Sequence, residues 1–295
     1  MLSLQKKINS PVDSFRGDSK GGRMKTLLVI MAFVITGAAH ADGIELKDPK
    51  GDDKGPGTYI YPTDTAYSRG AFDLTKASLK DKGDSVEVKI SVASRIKDPW
   101  RSKTWGGNGF SVQMFFIFID TDHKAGSGHK AGLPGLNVKF AEESRWEKAL
   151  IISPQGTKRL TAEINAKAKK WKKDIVVPTS VSVRGKFVVA RFPKSQIGSL
   201  SEAWGYQVVV QSNEGYPDKT DLLTRRVNEF NGQHRFGGGN DYNCDPHVLD
   251  MLAGQAKGAA SEATGQFTQL KTYKCDDDNP EGGSHATIKM VYPGG

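Results

Sequence analysis

The strongest strand signal in this chain is Phe110-Ser111-Val112-Gln113-Met114-Phe115-Phe116-Ile117-Phe118-Ile119. Successive side chains of a strand point to opposite faces. Phe110, Val112, Met114, Phe116 and Phe118 therefore fall on one side, and Ser111, Gln113, Phe115, Ile117 and Ile119 on the other. The second half is apolar on both sides. A strand of that composition belongs in the middle of a layered structure, covered above and below.

Outward from it, Val86, Val88, Ile90 and Val92 alternate with polar residues, which is the period of a strand with one buried face. The turn Asp81-Lys82-Gly83-Asp84 leads into it. Further strands are predicted at 58–61, 71–74, 146–152, 161–164, 175–183, 186–192 and 206–211, with a hairpin at Arg184-Gly185. Helix signals are few. Residues 193–197 read as one short turn, and 256–268 as a small, polar helix. Asp245-Pro246 sets a proline at the first helical position of 245–252. Many short strands and few short helices predict an all-β chain, an antiparallel β-sandwich. No internal repeat or long linker interrupts it, so 42–295 reads as one domain with a C-terminal extension from about 253.

Residues 24–41 have the make-up of an export signal: Lys25, an apolar run over 27–35, then Ala39-His40-Ala41 before Asp42. The run is too short for a comfortable membrane span, and no transmembrane segment is expected after it. Residues 1–23 read as an upstream extension that translation from Met24 would omit. Six basic and two acidic residues precede Asp42, so the formal charge falls from +9 to +5 over the remaining 254 residues. That length suffices for one sizeable core. Export implies the periplasm, the cell surface or the medium, and excludes nucleic acid as the expected partner. Cys244 and Cys275 read there as a disulfide, worth about 3–4 kcal/mol in the chain-entropy account. Two free thiols are the alternative.

Two acidic loops carry oxygen donors. Asp48, Asp52 and Asp53 stand among Gly51, Gly55 and Gly57, and Asp120 and Asp122 precede the glycine-rich turn Gly126-Ser127-Gly128. Carboxylates with accessible backbone carbonyls suit calcium, although neither loop has EF-hand spacing. The competing reading is that these aspartates make Asx turns and cap nearby amides. For sugar recognition, flat rings flanked by polar groups are the expected signal. Trp100 and Trp105 lie in the polar, glycine-rich loop 98–108 and are ligand candidates. Tyr59 and Tyr61 would share one face of a strand, as ligand contacts or as core. Trp146, Trp171 and Trp204 read as core. Lys167, Lys169, Lys170, Lys172 and Lys173 around Trp171 read as a solvated β-edge, with an anionic surface as the other reading. No Gly-x-Ser-x-Gly, His-Glu-x-x-His or phosphate-binding glycine loop occurs, so no enzyme signature stands out.

The stretch Asp48-Pro49-x-Gly51-Asp52-Asp53-x-Gly55-Pro56-Gly57-x-Tyr59-x-Tyr61-Pro62 opens an ordered series of motifs. Gly70-Ala71-Phe72-Asp73-Leu74, Pro99-Trp100, Asn108-Gly109-Phe110, Phe118-Ile119-Asp120-Thr121-Asp122-His123, Leu133-Pro134-Gly135-Leu136-Asn137, Trp204-Gly205-Tyr206, Phe236-Gly237-Gly238-Gly239 and Val248-x-Asp250 follow. The series resembles the glucodextranase C-terminal-type domain, a DOMON-like sandwich related to family 9 carbohydrate-binding modules, over about 44–252. The resemblance implies a non-catalytic module that recognises carbohydrate or envelope glycan. A structural or interaction protein, working with a secreted enzyme or a surface partner, is the alternative. Haem binding, known in other DOMON-like sandwiches through Met and His ligands, is the third, with Met114 as the methionine to examine.

Overall fold

The computed structural model describes residues 43–253, 259–279 and 282–294; the expected export signal and the extension before it lie outside these. In chain order the strands are β1 (Gly43–Lys47), β2 (Leu74–Lys82), β3 (Ser85–Val92), β4 (Gln113–Asp120), β5 (Val138–Phe140), β6 (Lys148–Ile152), β7 (Ile175–Val176), β8 (Ser180–Arg184), β9 (Phe187–Pro193), β10 (Gly205–Ser212), β11 (Asp250–Met251) and β12 (Ala286–Ile288). The helices are α1 (Thr157–Lys167), α2 (Lys194–Ile197) and α3 (Ala259–Leu270). One five-stranded sheet has the order β1-β2-β3-β9-β8 and a second the order β11-β10-β4-β6-β7, with β12 and β5 forming a small third. The pairings are antiparallel except β6 with β7 and β12 with β5. The chain is an all-β sandwich with few short helices.

The two-faced strand explains the layering. Phe115, Ile117 and Ile119 of β4 pack between the sheets against Val86, Val88, Ile90, Leu79 and Phe192. Met114, Phe116 and Phe118 face the other way, into a second cluster with Phe140, Trp146, Leu160, Leu222 and Ile288. The second sheet is thus the middle of three layers, roofed by α1, α3 and the small sheet. Every residue of β4 and of β10 is buried. The first sheet has one wet face, as β3 alternates buried and half-buried positions along its length. On that face Arg191 reaches Glu87 at 3.3 Å across β9 and β3, and Lys89 lies 3.7 Å over the Phe187 ring.

The structure departs from the sequence reading at several places, each with a physical cause. Residues 161–164 belong to α1, not to a strand: Leu160 and Ile164, one turn apart, bury a single helix face. The predicted strand 175–183 is two strands in different sheets, broken at Val177-Pro178-Thr179 where proline cannot donate to a ladder. Residues 245–252 form no helix. Leu249 O accepts Gly55 N at 2.8 Å and β11 pairs with β10, so tertiary partners claim this backbone despite its helix-start signal. Residues 58–61 contribute only the bridge Ile60–Gly237, and the strand expected at 71–74 begins at Leu74. The lysine cluster sits at the end of α1 and on a 3-10 turn, Lys169–Trp171, rather than on a β-edge. The segment after 253 is no appendage: Leu270 and Ile288 are fully buried in the second cluster. Cys244 and Cys275 are joined, with their Cα atoms 5.2 Å apart, which ties this roof to the loop before β11.

Candidate binding site

Asp98 organises the loop that carries Trp100 and Trp105. Its carboxylate accepts Ser102 N at 2.8 and 2.9 Å, Ser102 Oγ at 2.9 Å, and the Ser111 hydroxyl. Ser111 Oγ in turn accepts Trp100 N at 3.3 Å, and Ser102 Oγ accepts Gly109 N at 2.8 Å. Both serines are fully buried. One carboxylate and two hydroxyls therefore fasten both ends of the loop just ahead of β4. Between the tryptophans, Arg101 holds a left-handed φ of 50°, a conformation that non-glycine residues adopt rarely and that often marks a functional loop.

The two rings are held differently. Trp100 is half-buried, its edge against Tyr67 and His234 with centroids 6.1 Å away in each case. Trp105 is 42% exposed and is pinned by its Nε1, which donates to Trp100 O at 3.1 Å. Behind it, a Cβ on Gly107 would come within 2.6 Å of the indole and 2.5 Å of Pro154 O, so only glycine lets the ring lie where it does.

The facing wall comes from distant segments. Asn108 Nδ2 donates to Ser153 O at 2.9 Å and Gln155 O at 3.0 Å. Gln155 Nε2 donates to Asn213 Oδ1 at 3.4 Å, and Asn213 Nδ2 to Ser111 O at 3.1 Å. Arg159 on α1 donates to Gly215 O, which holds the loop after β10 beside the helix. At the tip of that loop Tyr216 is 93% exposed. Trp100, Trp105, Gln155, Arg159, Asn213 and Tyr216 line a cleft of about 280 Å³. Exposed rings stand over buried, fixed amides and a guanidinium, a combination that offers apolar faces and directed hydrogen bonds together.

A second candidate lies in the opening acidic loop. Asp48, Asp52 and Asp250 bring carboxylate oxygens within 4.8 Å of one another, and all three residues are buried. Asp250 also accepts Leu74 N at 2.6 Å and Met251 N at 2.9 Å. Burial and the nearby charges of Asp48 and Asp52 push its pKa well above the usual carboxylate range. Asp53 lies outside this trio; its carboxylate accepts the Tyr61 hydroxyl, and burial raises its pKa. Asp73 receives Gly51 N at 2.8 Å, and burial raises it to about 6.

Tyr59 and Tyr61 do not line the cleft. Tyr59 is 4% exposed, and its hydroxyl donates to Pro246 O and, at 3.3 Å, to Asp245 Oδ2. Tyr61 packs between Phe72 and Phe236 at 5.7 and 5.2 Å. Their alternation pointed inward, as the core reading has it. Asp120, Asp122 and Glu147 also approach within 4.8 Å of one another. Here the local turn occupies most oxygens: Asp120 Oδ1 accepts His123 N at 2.7 Å, Asp120 Oδ2 the Tyr292 hydroxyl at 2.5 Å, and Asp122 Oδ2 the Ser127 hydroxyl at 2.7 Å. Met114 packs in the second hydrophobic cluster beside Phe116 and Phe118.

Sequence reasoning found two rings of the cleft and two carboxylates of the trio. It missed Gln155, Arg159, Asn213 and Tyr216, which come from two other segments, 155–159 and 213–216, and Asp250 as a member of the trio, although Val248-x-Asp250 belongs to the motif series.

A β-sandwich that presents a pinned aromatic loop over a polar cleft is the architecture of a binding module. The sequence model of the C-terminal, SLH-like binding module of glucodextranase matches residues 44–290, and the protein belongs to that family. The match runs past 252 through α3 and β12, in keeping with their place in the core. No curated protein matches the chain significantly.

Proposed function

We propose that the protein is a non-catalytic module that binds polysaccharide or cell-envelope glycan in the cleft of Trp100, Trp105 and Tyr216. One observation carries this reading: rings left open to water stand over side-chain amides that are buried and already oriented. Sugars present apolar CH faces to rings and hydroxyls to such amides, and a pre-fixed site saves the ordering cost on binding. Membership of a binding-module family and the disulfide support an exported protein at work in the periplasm, on the surface or in the medium. The test is a glycan array probed with wild type and Trp105→Ala, chosen because Trp105 is exposed and Trp100 is wedged against Tyr67. Binding lost in the variant alone is the expected result. An array blank for the wild type, with co-purification of a defined protein, would transfer the cleft to a protein partner.

The same reading gives the buried trio Asp48, Asp52 and Asp250 a cation, and its all-oxygen donors favour calcium. Like charges buried this close are costly, and either a proton or a cation relieves them. Its role is to brace the loop 48–57 against β11, apart from the glycan. Calcium raises the melting temperature of the wild type and leaves that of Asp250→Asn unmoved. A wild-type melt identical with calcium and with chelator would remove the ion from the proposal.

A further inference from the structure

The cleft does not end at its rings. Beyond Trp100 a second hollow of about 540 Å³ is bounded by Asp64, Thr65, Lys97 and Asp98, with Trp100 itself as a wall. Beyond Tyr216 a third, of about 220 Å³, is bounded by Glu214, Asp218, Arg225, Arg226 and Arg235, with Tyr216 as a wall. Trp100 is thus common to the first two hollows and Tyr216 to the first and third. Three hollows lie in series with an aromatic side chain at each junction. Tyr216, at 93% exposure, closes nothing off, for nearly its whole side chain stands in water.

The basic and acidic side chains lining this series balance in number, and in the third hollow most of them are paired. Arg225 binds Glu214 at 2.9 Å, and Arg226 binds Asp218 at 2.9 Å and Asp221 at 3.4 Å. At the other end Lys97 stands with Asp64 and Asp98. Paired ions keep fixed donors and acceptors on offer while cancelling the field that would draw in a polyanion. Hydroxyl groups, each both donor and acceptor, match such a lining.

Resting on the glycan reading above, we infer that the groove takes the interior of an extended, uncharged polysaccharide, whose successive units occupy the three hollows and pass over Trp100 and Tyr216. A site for a chain end needs a wall behind the last unit; here the central cleft opens past an aromatic junction on both sides.

Calorimetric titration of the purified protein with gluco-, xylo- and manno-oligosaccharides, from mono- to hexasaccharide, tests this. Matching neutral polymers and their carboxymethylated forms complete the set. In the series that binds, affinity rises by about tenfold or more from disaccharide to hexasaccharide, and the neutral polymer is preferred to its charged form. Tyr216→Ala lowers hexasaccharide affinity by a larger factor than disaccharide affinity, and so exposed a side chain puts folding at no risk. Trp105→Ala weakens both. Equal affinity for disaccharide and hexasaccharide, or preference for the charged polymer, overturns the inference while glycan binding stands. No binding at any length to any of these sugars overturns both.

Discussion

Two loops of this protein use aspartate and glycine to opposite ends. The loop 48–57 turns its carboxylates inward, and those of Asp48 and Asp52 meet Asp250 under cover of the sandwich. The loop 98–109 spends its one organising carboxylate on its own backbone and serine hydroxyls and turns Trp105 toward water. In the first, buried charge is part of the scaffold; in the second, buried hydrogen bonds hold up an exposed apolar surface. The lesson is that acidic residues in a loop say little until their partners are known. Asp98, which no metal-ligand pattern singles out, matters most to the cleft.

This contrast can be broken at either loop. The largest effect is expected from Asp250→Ala, which orphans the Leu74 amide and empties a fully buried site, while Met251 N keeps Gln266 Oε1 at 2.8 Å. One orphaned buried donor costs about 1–3 kcal/mol and the space left by the carboxylate adds to it, so urea denaturation should show a loss toward the upper end of that range or beyond. Asp98→Ala comes next. It frees the loop ends, lowers glycan affinity by about tenfold or more by calorimetry, and costs about 1–3 kcal/mol of stability. A variant with normal affinity would mean that Trp100 and Trp105 need no such anchor.

The third effect is on pH. Burial raises the Asp245 carboxyl to about 7, beside the Tyr59 hydroxyl. The folded state then holds this proton more tightly than the unfolded chain, whose aspartate titrates near about 4. Its contribution to stability is whole below that pH and is lost as pH rises toward about 7. Melting curves across this window in the presence of chelator should fall with rising pH, and less steeply in Asp245→Asn. An equal slope in both proteins would move the effect to other carboxyls, Asp73 first among them. The smallest expected change is in the stability of Trp105→Ala, within about 0.5 kcal/mol of wild type because the side chain is substantially exposed. Its affinity falls all the same, and that separation of binding from stability is the sharpest form of the contrast.

What the sequence disclosed follows the range of the forces involved. The run 110–119 announced a central strand, which forms over Gln113–Asp120 because hydrophobic periodicity is local. Ahead of it the alternation fails, for Phe110 and Val112 lie outside the ladder and pack with Phe115 and Ile117 rather than with Met114, Phe116 and Phe118. The same local logic failed at 245–252. Its proline start signal, worth a fraction of a helix turn, lost to Leu249 and Asp250, which bond to Gly55 and Leu74 far earlier in the chain. In α1 the strand prediction rested on four residues, while the deciding feature was the wider spacing of Leu160 and Ile164. The cleft was half legible. A glycine-rich loop with two tryptophans is a visible signal, but Gln155, Asn213 and Tyr216 join it only through pairing of strands distant in sequence, and their immediate neighbours carry no mark of it.

That distant pairing also governs how the protein comes to exist. Strand β4 finds its antiparallel partner in β10, with Val209 opposite Phe116, past every strand from β5 to β9. Neither of the apolar layers on its two sides can close until that encounter has happened. Such topologies fold on the scale of roughly milliseconds to seconds, and a nascent chain released early would offer its stickiest segment, Phe115 to Ile119, to its neighbours. The feature that makes the finished molecule two cores thick makes its unfinished form a candidate for chaperone custody.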